Sequence, residues 1–234
     1  MIEGAYNFRD LGGLSTRKGQ QIRSGRLYRS DTLQALTALD VEYLYFRLGL
    51  RGIVDLRLAR EVADEGRGPL AALPDIRYVN SPLEIAATEG IAHDQVMDHL
   101  YLSSLAPSST LVGAVQNICD MSDYPLLFHC AAGKDRTGML AALILSLLDV
   151  DHDVIVFDYM RSSAAMPRMV ERFATWPTYR HHMTLVPPNA YQVEEAPLRT
   201  FLHHLDHELG GARAWVERNG VSSSSLKRLV SNLL

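Results

Sequence analysis

The chain has 234 residues, 47% of them apolar, 21% charged and 8% aromatic, with a formal net charge of -4. That composition can bury a core and excludes a disordered or fibrous chain, and the length favours one domain spanning 1–234 over two small ones. The slightly acidic balance excludes a general binder of nucleic acid or anionic membrane, which needs a basic surface, and the two cysteines, Cys119 and Cys130, exclude a disulfide framework and favour a reducing compartment.

The first residues, Met1 to Tyr6, carry neither a basic start nor an apolar run, so no secretory signal is read and a cytoplasmic location is expected. Short strands are predicted at Arg26–Arg29, Gly52–Leu56 and Ile76–Asn80, each bounded by Gly, Pro or charged residues. Between the first two, Thr37–Leu48 places Leu39, Tyr43, Leu44, Phe46 and Leu48 at helical spacing and ends at Gly49 as a C-cap. A second helix is predicted over Ser109–Asp120, closed by the turn Ser122-Asp123-Tyr124-Pro125. Leu126–His129 then has the length and apolarity of a strand, and Thr137–Leu148 is an unbroken helical pattern. The apolar stretch Met139–Leu148 is about ten residues, roughly half of a membrane span, and reads as a buried helix. Further helices are predicted over His152–Ala165, Met166–Trp176, Pro197–Leu209, Ala212–Asn219 and Ser223–Leu233. Strands alternating with helices predict an α/β fold with a mostly parallel central sheet flanked by helices, whose ligands sit beyond the carboxyl ends of the strands.

At such a strand end lies His129-Cys130-Ala131-Ala132-Gly133-Lys134-Asp135-Arg136-Thr137-Gly138, with a thiol, five intervening residues and an arginine between strand and helix. A thiol attacks only as thiolate, a form favoured by helix N-termini and nearby cations. Successive backbone N–H groups in a tight turn make an anion nest, and small Ala131, Ala132 and Gly133 permit close approach. Arg136 offers a planar fork of donors that holds two phosphoryl oxygens and opposes their charge during transfer. Thr137 is expected to donate its hydroxyl to the Cys130 sulfur, and His129 to orient the loop. The chemistry implied is two displacements at phosphorus, first by Cys130 and then by water, with no metal or cofactor required.

The Cys-x5-Arg spacing resembles the signature of protein tyrosine phosphatases and their dual-specificity and lipid-phosphatase relatives. The longer string HCAAGKDRTG, with Asn7-Phe8-Arg9-Asp10-Leu11-Gly12-Gly13, Tyr28-Arg29-Ser30-Asp31, Gly52-Ile53-Val54-Asp55-Leu56-Arg57 and the tail Trp215–Leu234, resembles the tyrosine-phosphatase-like family of bacterial and fungal enzymes, mycobacterial PtpB-type phosphatases among them. The likeness extends over nearly the whole chain. It implies activity on phosphotyrosine, in some members also on phosphoserine, phosphothreonine and phosphoinositides, and roles for the loop's Lys134 and Asp135. Lys134 would pair with an additional substrate phosphate or raise the local positive potential. The resemblance favours Asp135 as the acid that protonates the leaving oxygen, with Asp98, in an apparent helix with Val96, Met97 and Leu100, as the competing candidate. Trp176-Pro177-Thr178 is no acid loop, since it holds no aspartate and follows the cysteine.

Around this core the readings divide. Asn7, Arg9 and Asp10 are expected to brace the loop, and Arg29 and Arg57 either line the anion pocket or lie on the surface. Cys119 is a buried helix residue or a trap for oxidised Cys130. His203, His204 and His207 read as a solvated helix face more than a metal site. The helices within 152–209, with Met166, Met169 and Phe173, form a lid or ordinary core. The expected substrate is a phosphorylated protein or phosphoinositide; a small phosphorylated metabolite or nucleotide is the alternative, and a phosphate-binding module without turnover the second.

Overall fold

A computed structural model describes residues 2–84, 86, 90–92, 95–106, 109–184 and 188–234. Its centre is a five-stranded sheet of β1 (Arg9–Asp10), β2 (Leu27–Ser30), β3 (Gly52–Asp55), β4 (Arg77–Asn80) and β5 (Leu126–His129), in the order β1-β2-β5-β3-β4. All neighbours are parallel except the β1–β2 pair. The apolar run Leu126-Leu127-Phe128 takes the middle because a strand covered on both faces tolerates no polar side. Its side chains alternate: Leu126 and Phe128 join Leu27 and Val54 in the larger core, whereas Leu127 joins Tyr28 and Ile53 in the smaller one. The register sets Ser30, His129 and Asp55 side by side at the carboxyl ends of three strands.

The helices are α1 (Ala38–Glu42), α2 (Ala59–Glu65), α3 (Val96–Ser103), α4 (Leu111–Met121), α5 (Asp135–Leu147), α6 (His152–Met160), α7 (Met166–Thr175), α8 (Pro177–Met183), α9 (Glu195–His207), α10 (Gly211–Arg218) and α11 (Ser223–Leu233). Several differ from expectation. The helix predicted over Thr37–Leu48 starts with a capping box between Thr37 and Asp40, runs only to Glu42, and widens into a π-helical turn over Tyr43–Arg47. The one predicted over His152–Ala165 tightens into a 3-10 turn over Arg161–Ala164. α5 opens two residues early, at Asp135, which sets a carboxylate in its first turn. β1, α2 and α8 have no predicted counterpart; each is short, and short elements carry little periodicity. Among the described residues no helix is long and apolar enough to cross a membrane.

Candidate functional site

The loop from Cys130 to Lys134 joins β5 to α5. Its carbonyls are held from outside. Thr32 N donates to Ala131 O at 3.0 Å, Asn7 Nδ2 to Ala132 O and Gly133 O at 3.0 Å each, and Arg29 Nη2 to Gly133 O at 2.9 Å. A peptide whose carbonyl faces out turns its N–H in, and among the described residues the N–H groups of Ala131 to Lys134 find no acceptor. Gly133 makes the turn possible: its φ is +66°, and a Cβ there would stand 2.5 Å from Ser30 O. The loop is thus an anion nest opening on the N-terminus of α5.

The outside donors form a buried network. Arg9 Nε and Arg29 Nη1 both donate to Asp158 on α6, at 2.7 Å each, and Arg9 Nη1 bonds Asn7 Oδ1. Arg9 and Asn7 therefore brace the loop. Arg29 does the same, and neither lines the pocket nor lies on the surface, because Asp158 and Gly133 occupy its fork. Burial alone would raise the Asp158 carboxyl, but Arg29 and Arg9 hold it below the usual carboxylate range. Asp10 serves a different turn, accepting from Gly12 N and Gly25 N at 2.7 Å each. Below the loop, Asp31 accepts from Asn7 N at 2.8 Å and from Arg172 Nη1 of α7 at 3.1 Å, and full burial pushes its carboxyl up to about 6.

Arg136 is 9% exposed, and its Nη1 and Nη2 donate to Oε2 and Oε1 of Glu61 at 2.5 and 3.0 Å. Burial would lower the guanidinium's affinity for its proton, but Glu61 and Cys130 keep it firmly charged. Arg57 is fully buried, bound to Asp55 through Nε and Nη2 and to Gly66 O, so it is no surface residue. Asp55 further accepts from Tyr78 Oη at 2.8 Å and faces His129 Nε2 at 3.6 Å, while His129 Nδ1 lies 3.2 Å from Cys130 O. Burial lowers His129 below its ordinary range, against the pull of Asp55. Burial acts on Asp55 in the raising direction, but His129 and the Arg57 fork prevail, and its carboxyl titrates at about 2. A depressed carboxylate stabilises the fold above its unfolded value of 3.8 and loses that contribution as pH falls toward 2. Acid unfolding should therefore release on the order of 2 kcal/mol between those limits, and Asp55→Asn should flatten the stability-against-pH curve there, measured by urea unfolding.

Asp135 is held by Tyr101 Oη at 2.9 Å, with Lys134 Nζ 3.4 Å away, and keeps 35% of its side chain exposed. Tyr101 is fixed in turn by Tyr159 Oη at 2.8 Å. Asp98, one turn earlier on α3, has a buried Oδ1 without a partner and no bond to the loop among the described residues. Thr137 is fully buried and its hydroxyl has no partner among the described residues, so the expected bond to the Cys130 sulfur is not formed in this state. Lys134 does not reach outward either: it is 2% exposed, and its Nζ donates to Ala190 O and Gln192 O at 2.7 Å each.

A third apolar cluster packs on the loop, where Ala131 meets Met166, Met169, Phe173 and Tyr179 of α7 and α8. Arg168 and Arg172 of α7 both stack on the Tyr6 ring, 3.8 and 3.7 Å from its centroid. Cys130 beneath is 2% exposed. Cys119 is a free, buried thiol on α4, and burial pushes it up to about 11, a setting for an inert core residue. His203 and His207 stack at 4.3 Å, and among the described residues no group of three or more His, Cys, Asp and Glu stands where a metal could be held. Glu61, Asp158, Tyr101 and Tyr179 escape sequence reasoning, because each acts across a contact that only folding creates; Asp31 lies within the quoted Tyr28-Arg29-Ser30-Asp31 but carries no signal of its own.

Comparison with known proteins gives a consistent result. The profile of the tyrosine phosphatase family matches residues 1–234. The triple specificity protein phosphatase PtpB of Mycobacterium tuberculosis is 28% identical over 100% of this chain and 98% of its own. A protein of Cupriavidus necator provisionally named a tyrosine-protein phosphatase is 35% identical over 67% of this chain and 60% of its own length. Among solved structures, the core catalytic domain of the S. cerevisiae PP-IP phosphatase SIW14 is 18% identical, covering 82% of this chain and 91% of that one at a TM-score of 0.43.

Proposed function

The chain belongs to the tyrosine phosphatase family, and on that premise we propose that it hydrolyses phosphomonoesters through a phospho-cysteine intermediate, with phosphotyrosine in protein as its substrate. The observation that carries this reading is the nest itself: outward carbonyls, inward N–H groups, and the fixed, charged fork of Arg136 around a single thiol. The Cys130 thiolate forms the S–P bond as the P–O bond breaks, and Asp135 gives its proton to the departing oxygen. Water then attacks phosphorus, Asp135 takes up a proton, and the thiolate leaves. Thr137, in the first turn of α5 and with no hydroxyl partner among the described residues, donates to that departing sulfur.

Lys134 bears on the substrate. Its three N–H groups face Ala190 O, Gln192 O and Asp135, so a second substrate phosphate would have to displace bonds already made. That favours phosphotyrosine over a multiply phosphorylated lipid. We read α7 and α8 as a lid that withdraws to admit a phosphorylated side chain, and a free Cys130 thiol suits the reducing cytoplasm.

Two experiments test this. Hydrolysis of an aryl phosphate should persist in excess EDTA, and a rapid acid quench should trap labelled phosphate on Cys130; turnover without a trapped label would overturn the mechanism. Steady-state rates on phosphotyrosine peptide, phosphoinositides and nucleotides then rank the substrates, and a clear preference for a soluble metabolite would sink the proposed class. For the acid, Asp135→Asn should slow phosphoserine peptide by about 10²–10³-fold but p-nitrophenyl phosphate by less than about tenfold. Equal losses on both would point to a structural role for Asp135.

A further inference from the structure

Tyr179 is the one described residue of α8 that is sunk into the protein, at 5% exposure. Its ring packs 4.7 Å from Phe173 and 6.0 Å from Trp176. Its hydroxyl, however, is buried and has no hydrogen-bond partner among the described residues. The charged groups it interacts with are Arg57, Glu61, Arg136 and Glu65, and its ring shares an apolar cluster with Ala131 of the loop. Such burial keeps the phenol protonated, hence a donor.

A second orphan lies on the same side. Arg57 spends Nε and Nη2 on Asp55 and Gly66, while its Nη1 is buried without a partner among the described residues, and the guanidinium interacts electrostatically with Tyr179. The phenol oxygen could accept from that N–H, but among the described residues the two are not bonded and each stands unpaired. Buried polar groups are nearly always paired, and a buried donor left alone calls for an explanation. The ordinary one at an enzyme site is an acceptor that arrives with the ligand. The nearby carboxylates are engaged elsewhere, Glu61 with Arg136 and the Leu58 N–H and Glu65 with the Thr178 N–H, and neither bonds Tyr179 among the described residues.

We propose that Tyr179 Oη and Arg57 Nη1 are substrate-contact groups that donate to an anionic oxygen of the phosphorylated substrate, so that α8 closes the site by binding the ligand. The proposal rests on the phosphatase reading of the loop and adds a wall to it. The position of α8 suits this role, because Thr178 N bonds Glu65 Oε1 at 3.2 Å and Thr178 Oγ1 bonds Asp64 Oδ2 at 3.4 Å, which ties α8 to α2, the helix that also carries Glu61. Tyr179 and the Arg136 fork are thus referenced to one helix.

Tyr179→Phe removes one oxygen and keeps the ring. Tungstate binding, measured by titration calorimetry on the whole protein, should weaken about tenfold, the ordinary worth of a hydrogen bond to a charged group. KM for p-nitrophenyl phosphate should rise by a similar factor with kcat within about twofold, the mark of a contact made equally in ground and transition states. The melting temperature should hold or rise, because a buried unpaired hydroxyl is gone; a packing role would predict unchanged oxyanion affinity. Wild-type affinity and KM in the variant would overturn the proposal. Failure of the wild-type protein itself to bind tungstate would strike instead at the phosphatase reading on which it rests.

Discussion

Replacing Cys130 by serine should lower hydrolysis of p-nitrophenyl phosphate by at least about 10⁴-fold, a loss of the size seen when a nucleophile is deleted from an otherwise intact site. The cradle should survive, because it is built from backbone. The outward carbonyls are fixed by Thr32, Asn7 and Arg29, and the fork of Arg136 by Glu61, none of which involves the sulfur. Tungstate should therefore bind the variant about as tightly as the wild type, since every donor of the nest remains. The pairing of abolished turnover with retained oxyanion binding separates a nucleophile from a structural cysteine. Cys119→Ser supplies the contrast: this thiol is buried on α4, and its loss should leave kcat within about twofold while lowering stability. If the Cys130 variant kept more than about one hundredth of wild-type turnover, the phospho-cysteine mechanism would be wrong.

What is legible in the chain is whatever is contiguous. Cys130 to Arg136 is one string on a strand-to-helix turn, and its expected roles follow from residue type and spacing. β5 is legible to its limits because an apolar run between Pro125 and the loop has only one way to be buried. The bracing role of Asn7 and Arg9 is legible as a choice and needs the fold to decide it. Arg29 and Arg57 show the limit. An arginine at a strand end looks the same whether it faces solvent or an anion, or is buried on a carboxylate; here the partners, Asp158 and Asp55, come from α6 and from two residues upstream. Lys134 departs from expectation for the same reason: its acceptors are backbone carbonyls at Ala190 and Gln192, which have no residue signature. α8 escapes notice because a seven-residue helix opened by Pro177 spans two turns and buries one described side chain, too little for a periodic pattern.

Glu61 is the least legible of the residues the site depends on, and its removal should have the largest effect on stability. Glu61→Ala leaves the Arg136 guanidinium, 9% exposed, without its carboxylate, and leaves the Leu58 N–H without its acceptor. Breaking a buried pair by deleting one partner costs about 3–5 kcal/mol, because the surviving charge stays desolvated. For a chain of this size that corresponds to a fall of about 10 °C in melting temperature. Activity should fall as well, by about 10²-fold in kcat/KM, since a fork no longer held at two points loses its aim at the phosphoryl oxygens. The two effects share a cause, and a ligand can reveal it. An oxyanion in the nest gives Arg136 a new counter-charge, so saturating phosphate should raise the melting temperature of Glu61→Ala by more than it raises that of the wild type. Glu61→Gln should fall between the two, keeping an acceptor for Leu58 N–H but no charge for Arg136. A variant that unfolds within about 1 kcal/mol of the wild type, or gains no more from phosphate, would mean that Arg136 is positioned by the loop and not by α2.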